Sequence, residues 1–370
     1  MSKIEKPAEL LCIGNVLVDF FAPGDGDFAR RHGIDQAVQH LEYEALAAAL
    51  RELPEKFSCS GGGAANVAKI AGLLGTEVRF IGAAGKAPAA FSLAAGSLAA
   101  TGLDEQGRFF EAELSAAGVK TRLLPRNAPT GCCLILKLSD GGAAGEGETR
   151  IAAAPSASLK LGKQDIREED IRRAGLVVID GYMTERQELV RHVLDLANHG
   201  GTAVVLDLGS SAIARTHAHE IATYSRIYPL ILFMNEEESV AFYSALSRRS
   251  PGEDGPAGES EYFTEDMYRF FLGLTANELF PIVVVKRGKW GAMVFAGGNI
   301  LKSRTFAVRP RDSTGAGDAF CAAFVSAWLR GLPLSKCADL GNKTARLVLE
   351  APGAQIEQKK LKGLRKNLAR

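Results

Sequence analysis

Six short runs rich in Val, Ile and Leu recur along the chain, at 10–13, 78–81, 176–179, 203–208, 230–234 and 282–285, each followed by a helix-length segment. A strand that is apolar at consecutive rather than alternate positions has to be buried on both faces. Strands of that kind, alternating with helices, are satisfied by a parallel sheet with helices packed on either side. The segment 185–198 shows the helical partner, since Leu189, Val190, Val193, Leu194 and Ala197 share one face and Gly200-Gly201 ends it. The expected class is α/β, a three-layer α/β/α arrangement around a mainly parallel central sheet.

Two regions break this rhythm. Residues 16–22 read as a continuation of the first strand, and 131–138 with 149–154 read as a strand pair around a Gly-rich turn at 140–147. They fit a small β appendage to the main sheet. A length of 370 residues suits one large domain with such an appendage, and no internal repeat or domain-sized linker divides it. The stretch 250–261, with Pro251, Gly252, Gly255, Pro256 and Gly258, reads as an exposed loop insertion, and the basic 359–370 as a solvated helix end.

The net charge of +1 gives no electrostatic reason to expect nucleic acid or an acidic membrane as partner. No run approaches the ~20 apolar residues of a membrane-spanning helix, and Met-Ser-Lys-Ile-Glu-Lys lacks the plan of a secretory signal. The six cysteines (Cys12, Cys59, Cys132, Cys133, Cys321 and Cys337) sit mostly among apolar neighbours without CxxC spacing. They read as buried free thiols in a reducing compartment, so the expected location is cytoplasmic.

Four segments could carry chemistry. In Asp312-Ser-Thr-Gly315-Ala316-Gly317-Asp318 a small-residue turn runs into an apolar helix. Its glycines let backbone amides approach an anion, and the helix dipole keeps a first-turn Asp318 ionised as a proton acceptor. Read alone, Asp318 serves equally as a helix cap or as a base. Ser60-Gly61-Gly62-Gly63-Ala64-Ala65-Asn66 is a second glycine turn entering a helix, where Asn66 either caps or hydrogen-bonds a hydroxyl. Asn235-Glu236-Glu237-Glu238 follows the run 230–234 directly. Hard oxygens at a strand C-terminus suit Mg²⁺ in an open α/β sheet, and an acidic helix start explains them as well. Finally, Lys286-Arg-Gly288-Lys-Trp-Gly291 leaves a strand as a cationic glycine turn, a reasonable wall for nucleotide phosphates.

Rival signatures are missing. The chain has no G-x-x-x-x-G-K-[ST], no G-x-G-x-x-G and no G-x-S-x-G, and His217 and His219 have only Glu220 near them in sequence, short of a metal set.

Taken in order, the four segments resemble the ribokinase (PfkB-type) family of carbohydrate and nucleoside kinases over roughly residues 10–355. The resemblance implies a ribokinase-like fold, a single kinase domain over 1–370, with a discontinuous β lid from about 16–40 and 120–155. It implies that Asp318 takes the proton of an acceptor hydroxyl, and that the amides of Gly315, Ala316 and Gly317 hold the transferring phosphoryl group. It further implies that Asn235 and Glu238 organise Mg²⁺ and ATP phosphates through water, that Asp19 grips acceptor hydroxyls, and that Gly61 and Gly62 form a hinge beside Asn66. Asp312 would help place a monovalent cation such as K⁺. In some members the lid forms a homodimer.

Lys286 stands where many members have Thr or Ser, and the Ala/Ser/Gly-rich 86–102 looks inserted. The implied acceptor is a sugar or sugar-like molecule with a primary hydroxyl. Residues 14–22 and 28–34 resemble the adenosine-kinase-like branch, which sets adenosine or another nucleoside beside that reading. A sugar- or nucleotide-binding relative without activity is the remaining alternative.

Overall fold

Burial on both faces is what the apolar runs demand, and the molecule supplies it. The computed structural model describes residues 9–53, 56–87, 102–138, 148–247, 263–305, 308, 310, 313–351, 356 and 358–368. In chain order the strands are β1 (Glu9–Ile13), β2 (Leu17–Gly24), β3 (Val38–His40), β4 (Phe57–Gly61), β5 (Glu77–Gly85), β6 (Val119–Arg126) and β7 (Gly131–Leu138). They continue as β8 (Thr149–Ala154), β9 (Leu176–Asp180), β10 (Ala203–Asp207), β11 (Leu230–Asn235), β12 (Val283–Lys286), β13 (Ala292–Ala296) and β14 (Asn299–Ser303). The chain divides into two compact units, one of Met1–Ile13, Asn66–Arg79 and Gly162–Arg370, the other of Gly14–Ala65 and Phe80–Leu161.

In the first unit the strands lie in the order β14-β13-β12-β11-β10-β9-β1. Pairing is parallel from β1 through β9, β10 and β11 to β12, and antiparallel from β12 through β13 to β14. The six expected runs all fall on strands, five of them within one residue of their expected ends, while the run 78–81 lies in the longer β5, which continues to Gly85. The segment 185–198 becomes a helix at Gln187–His199, because the chain first makes a 3-10 turn over Gly181–Glu185. Its apolar face is buried as expected, and beyond it the Gly201 and Thr202 amides turn back to the carbonyls of Asn198 and Ala197.

Parallel pairing has one consequence for chemistry: the C-terminal ends of neighbouring strands lie side by side. Asp180 and Asp207 are register partners at the ends of β9 and β10, and Asn235 and Lys286 at the ends of β11 and β12. This edge is where open α/β sheets place their ligands. The helix Ala316–Leu329 is set on the sheet through Phe320 and Phe324, whose rings meet Phe233 of β11 at 6.4 and 5.2 Å between centroids. Helix Leu334–Val348 packs closely on it: a Cβ on Gly341 would come within 2.7 Å of the Phe320 ring.

In the second unit five strands pair in the order β3-β8-β7-β2-β4, while β5 pairs with β6. The expected β7–β8 pair is present and antiparallel, though its turn at 140–147 lies outside the described residues. Residues 16–22 do not extend β1. The chain leaves it at Ile13 and begins β2 in this smaller sheet. The sheet also takes in β4, whose Phe-Ser-Cys-Ser-Gly pattern carries little strand signal, and leaves out β6. One face is covered by helices Gly26–Arg31 and Tyr43–Glu52, with Phe28, Ala29, Leu46 and Ala49 packed among Leu134, Leu136 and Ala152. Most of 86–102 and all of 250–261 fall outside the described residues. At the base of the former, the Ala87 amide meets the Gly102 carbonyl at 2.8 Å. Among the described residues no helix is long and apolar enough to cross a membrane.

Phe233 is fully buried beneath the Asp318 helix. Phe233→Ala is expected to lower unfolding free energy by about 3–5 kcal/mol, read as a shift of the urea midpoint at constant slope. A loss below ~1 kcal/mol would mean the helix is held by other contacts.

Candidate active site

Within the first unit, residues far apart in sequence converge on the C-terminal edge of the sheet. The turn before helix Ala316–Leu329 ends on Gly315, at φ 76°, a left-handed conformation that L side chains avoid. Gly317 and Asp318 then occupy the first helical turn, whose amides have no partner within the helix. The Ala316 amide makes a long 3.3 Å bond to the Ser313 carbonyl. Such a turn offers N–H groups and a favourable dipole to an anion.

Asp318 is the centre of the constellation. Its Oδ2 accepts a 2.8 Å hydrogen bond from the side-chain amide of Asn66, on helix Gly63–Leu73. Asn66 is buried, and among the described residues its Oδ1 meets no donor. The Asp318 carboxyl is raised from the ordinary 3.8 to about 7, by desolvation first and then by the Asp207 charge, while the Asn66 bond and Lys286 pull the other way. A carboxyl poised near 7 exchanges protons readily at neutral pH.

Asn235 and Glu238 form a closed local pair. The Asn235 amide and side chain donate to the two Glu238 oxygens at 2.8 and 3.0 Å, and the Glu238 amide donates back to Asn235 Oδ1 at 2.8 Å. Glu238 is buried, and burial raises its pKa. Lys286 Nζ donates to both Asp207 oxygens, at 2.7 and 2.8 Å. The neighbouring Arg287 is buried too, and its Nε bonds Glu236 at 2.9 Å. Gly288 and Gly291 shape the turn that follows, closed by the Arg287 amide on the Gly291 carbonyl.

Asp19, Gly61 and Gly62 belong to the second unit. Asp19 is buried in mid-strand on β2, and a Cβ on Gly61 would fall within 2.0–2.2 Å of its carboxylate atoms. Only glycine lets the two approach so closely. Gly62, at φ 97°, lies under the Asn15 carbonyl. Asp312 lies outside the described residues. Asp207 and Asp180 are additions that sequence reasoning passed over. The signal existed, a carboxylate closing an apolar run, which is the same criterion that singled out Asn235. All six cysteines are buried and free, as expected.

A family model described as pfkB family carbohydrate kinase matches residues 91–361. The chain belongs to the pfkB family of carbohydrate kinases. The kinase is similar to a 5-dehydro-2-deoxygluconokinase of Geobacillus kaustophilus, 29% identical over 55% of this chain and 60% of that protein's length. It is 26% identical to an ATP-dependent ribose-1-phosphate kinase of Halopiger xanaduensis over 80% of this chain and 82% of the relative. Its fold matches the crystal structure of an adenosine kinase from Sinorhizobium meliloti, with TM-score 0.78, 22% identity and coverage of 97% and 98% of the two chains. A probable sugar kinase from Rhizobium etli matches equally well, with TM-score 0.78, 20% identity and the same coverage. The ribokinase-like α/β fold, with its large, mostly parallel sheet and smaller second sheet, is thereby established.

A buried carboxyl raised on folding costs stability as pH climbs. The contribution of its neutral form is complete below the unfolded value near 3.8 and lost as pH rises through about 7. Asp318→Asn removes that loss, so its melting temperature relative to the parent is expected to increase between pH 5 and pH 8. A difference that stays flat over this range would show that Asp318 is not raised.

Proposed function

We propose that this kinase transfers the γ-phosphoryl group of ATP to a hydroxyl, a primary one by preference, of a sugar or sugar-like acceptor, with Asp318 as general base. The observation that carries this is the half-buried Asn66–Asp318 pair at the head of a helix entered through a left-handed glycine. Asp318 takes the acceptor proton as the oxygen attacks, and Asn66 holds the carboxylate in place while its Oδ1 is open to a hydroxyl. The turn Gly315, Ala316 and Gly317 receives the charge on the transferring group. Phosphoryl transfer asks little covalent chemistry of a protein, so alignment and charge stabilisation supply most of the acceleration.

Mg²⁺ is the expected companion of the ATP phosphates. Both Glu238 oxygens already accept hydrogen bonds from Asn235, and among the described residues no group of three or more His, Cys, Asp or Glu side chains could hold a metal ion. These residues fit an ion carried by the nucleotide and held through water, where it would neutralise phosphate charge. Gly288 and Gly291 are proposed to border the nucleotide, and Asp19, beside Gly61 and Gly62, to hold acceptor hydroxyls. Six buried free thiols suit a cytoplasmic enzyme.

One observation favours a nucleoside acceptor as the second reading. Asp19 has Cys59 and Cys133 as register partners, and the next row on the same face runs Phe57, Phe21, Ile135 and Ile151. Phe21, Cys59, Cys133 and Ile135 pack as one cluster. A carboxylate set in an apolar surface suits a molecule with hydroxyls at one end and a flat apolar ring at the other.

ADP release with ATP–Mg²⁺ and a panel of hexoses, pentoses and nucleosides tests both readings, and thermal stabilisation ranks the acceptors independently. On the best acceptor Asp318→Asn is expected to lose about 10²–10⁴-fold in kcat; near-parental turnover would remove Asp318 from the role of base. Gly61→Ala, by displacing the Asp19 carboxylate, is expected to raise the acceptor KM while leaving the KM for ATP in place.

A further inference from the structure

Lys286 is spoken for inside the protein. Its ammonium makes two short bonds to Asp207, and its side chain and that of Asp207 are only 13% and 8% exposed. The same Nζ lies directly under the phosphate-facing turn: a Cβ on Gly317 would sit 3.2 Å from it, and the nearest atoms to that point all belong to Lys286. A phosphate that drew Lys286 away would strand Asp207 as a buried, uncompensated charge, an expensive rearrangement.

We propose that Asp207 and Lys286 form a buried ion pair that positions Gly317 and Asp318 for phosphoryl transfer, neither residue touching the substrate. This rests on the reading of Asp318 as the base. The pair ties the ends of β10 and β12 to the first turn of helix Ala316–Leu329, with the ammonium nearest the turn. Among the described residues, the groups facing Asp318 are Asp180 from β9, Asp207 from β10, Glu238 from helix Glu236–Ser247, Lys286 from β12 and Cys321 one turn along its own helix. Lys286 is the one cation among them. Burial by itself would pull its pKa down, yet Asp207 and Glu238 keep it protonated. The two members act on Asp318 with opposite signs, Asp207 raising its pKa and Lys286 lowering it.

Opposite signs make the pair testable. In the full-length enzyme, Lys286→Met, Asp207→Asn, the double variant and Lys286→Arg are compared by ADP release from ATP–Mg²⁺, with ribose or adenosine, whichever the parent turns over faster. Lys286→Met is expected to lower kcat by about 10–100-fold, to leave the KM for ATP within about threefold, and to move the acid limb of the pH–rate profile upward. Asp207→Asn is expected to move the limb downward. The double variant, which buries no unpaired charge, should fold like the parent and return the limb toward the parental position. Lys286→Arg should recover part of the kcat lost by Lys286→Met.

If the two single variants shift the limb the same way or not at all, the pair is structural only and the proposal falls. A large rise in KM for ATP at unchanged kcat in Lys286→Met would also overturn it, since Lys286 would then be a nucleotide ligand. Should Lys286→Met fail to fold, the double variant decides alone: a kcat within about twofold of the parent at every pH sinks the idea. Failure of the underlying reading looks different, because Asp318→Asn would then keep its activity whatever happens at Asp207 and Lys286.

Discussion

A half-buried carboxyl group crowded by other carboxyl groups is the constraint on which the first unit depends. Asp318 shares its surroundings with Asp180, Asp207 and Glu238, and each ionised neighbour makes its own charge harder to keep. Hydrogen bonding from Asn66 and the Lys286 ammonium are what keep it within reach of neutral pH. A sequence optimised for stability alone would not bury these groups together. Their presence at the edge where parallel strands end marks stability surrendered for chemistry.

That cost is tolerable because everything beneath the site is rigid. The strands below the charged edge are fully apolar, and Phe233, Phe320 and Phe324 fix the helix that presents Asp318. Small residues do the fine positioning. Gly315 leads the chain into the helix through a left-handed conformation, and Gly341 lets a second helix close on Phe320. Together they place a dipole, the Asp318 carboxyl and an internal cation within one helical turn.

The second unit solves a different problem, that of presenting one carboxylate from a sheet. Helices on one face carry the burden of burial, which leaves Asp19 on the opposite face between two thiols and beside an apolar row. That setting offers a carboxylate and an apolar surface side by side.

Much of this was readable from the chain. Doubly buried strands are written as consecutive Val, Ile and Leu, so their positions, the parallel class and the helix of 187–199 could be read from local pattern, as could the glycine turns before Asn66 and Asp318. What stayed hidden was non-local. Phe57-Ser-Cys-Ser-Gly61 gained its identity as β4 from its partner β2, and 16–22, continuous with β1 in sequence, left it for another sheet. Asp207 resembles any strand-end aspartate until Lys286, 79 residues later, reaches it. Asn66 and Asp318 are 252 positions apart, and each by itself is as good a helix cap as a catalytic group. Local residue pattern determines which segments become strands and helices, because propensity and burial act over a few residues. Which polar groups meet, and therefore which carboxyl is buried, paired or raised, was decided by tertiary packing alone, since desolvation and charge depend on neighbours the chain brings in from far away.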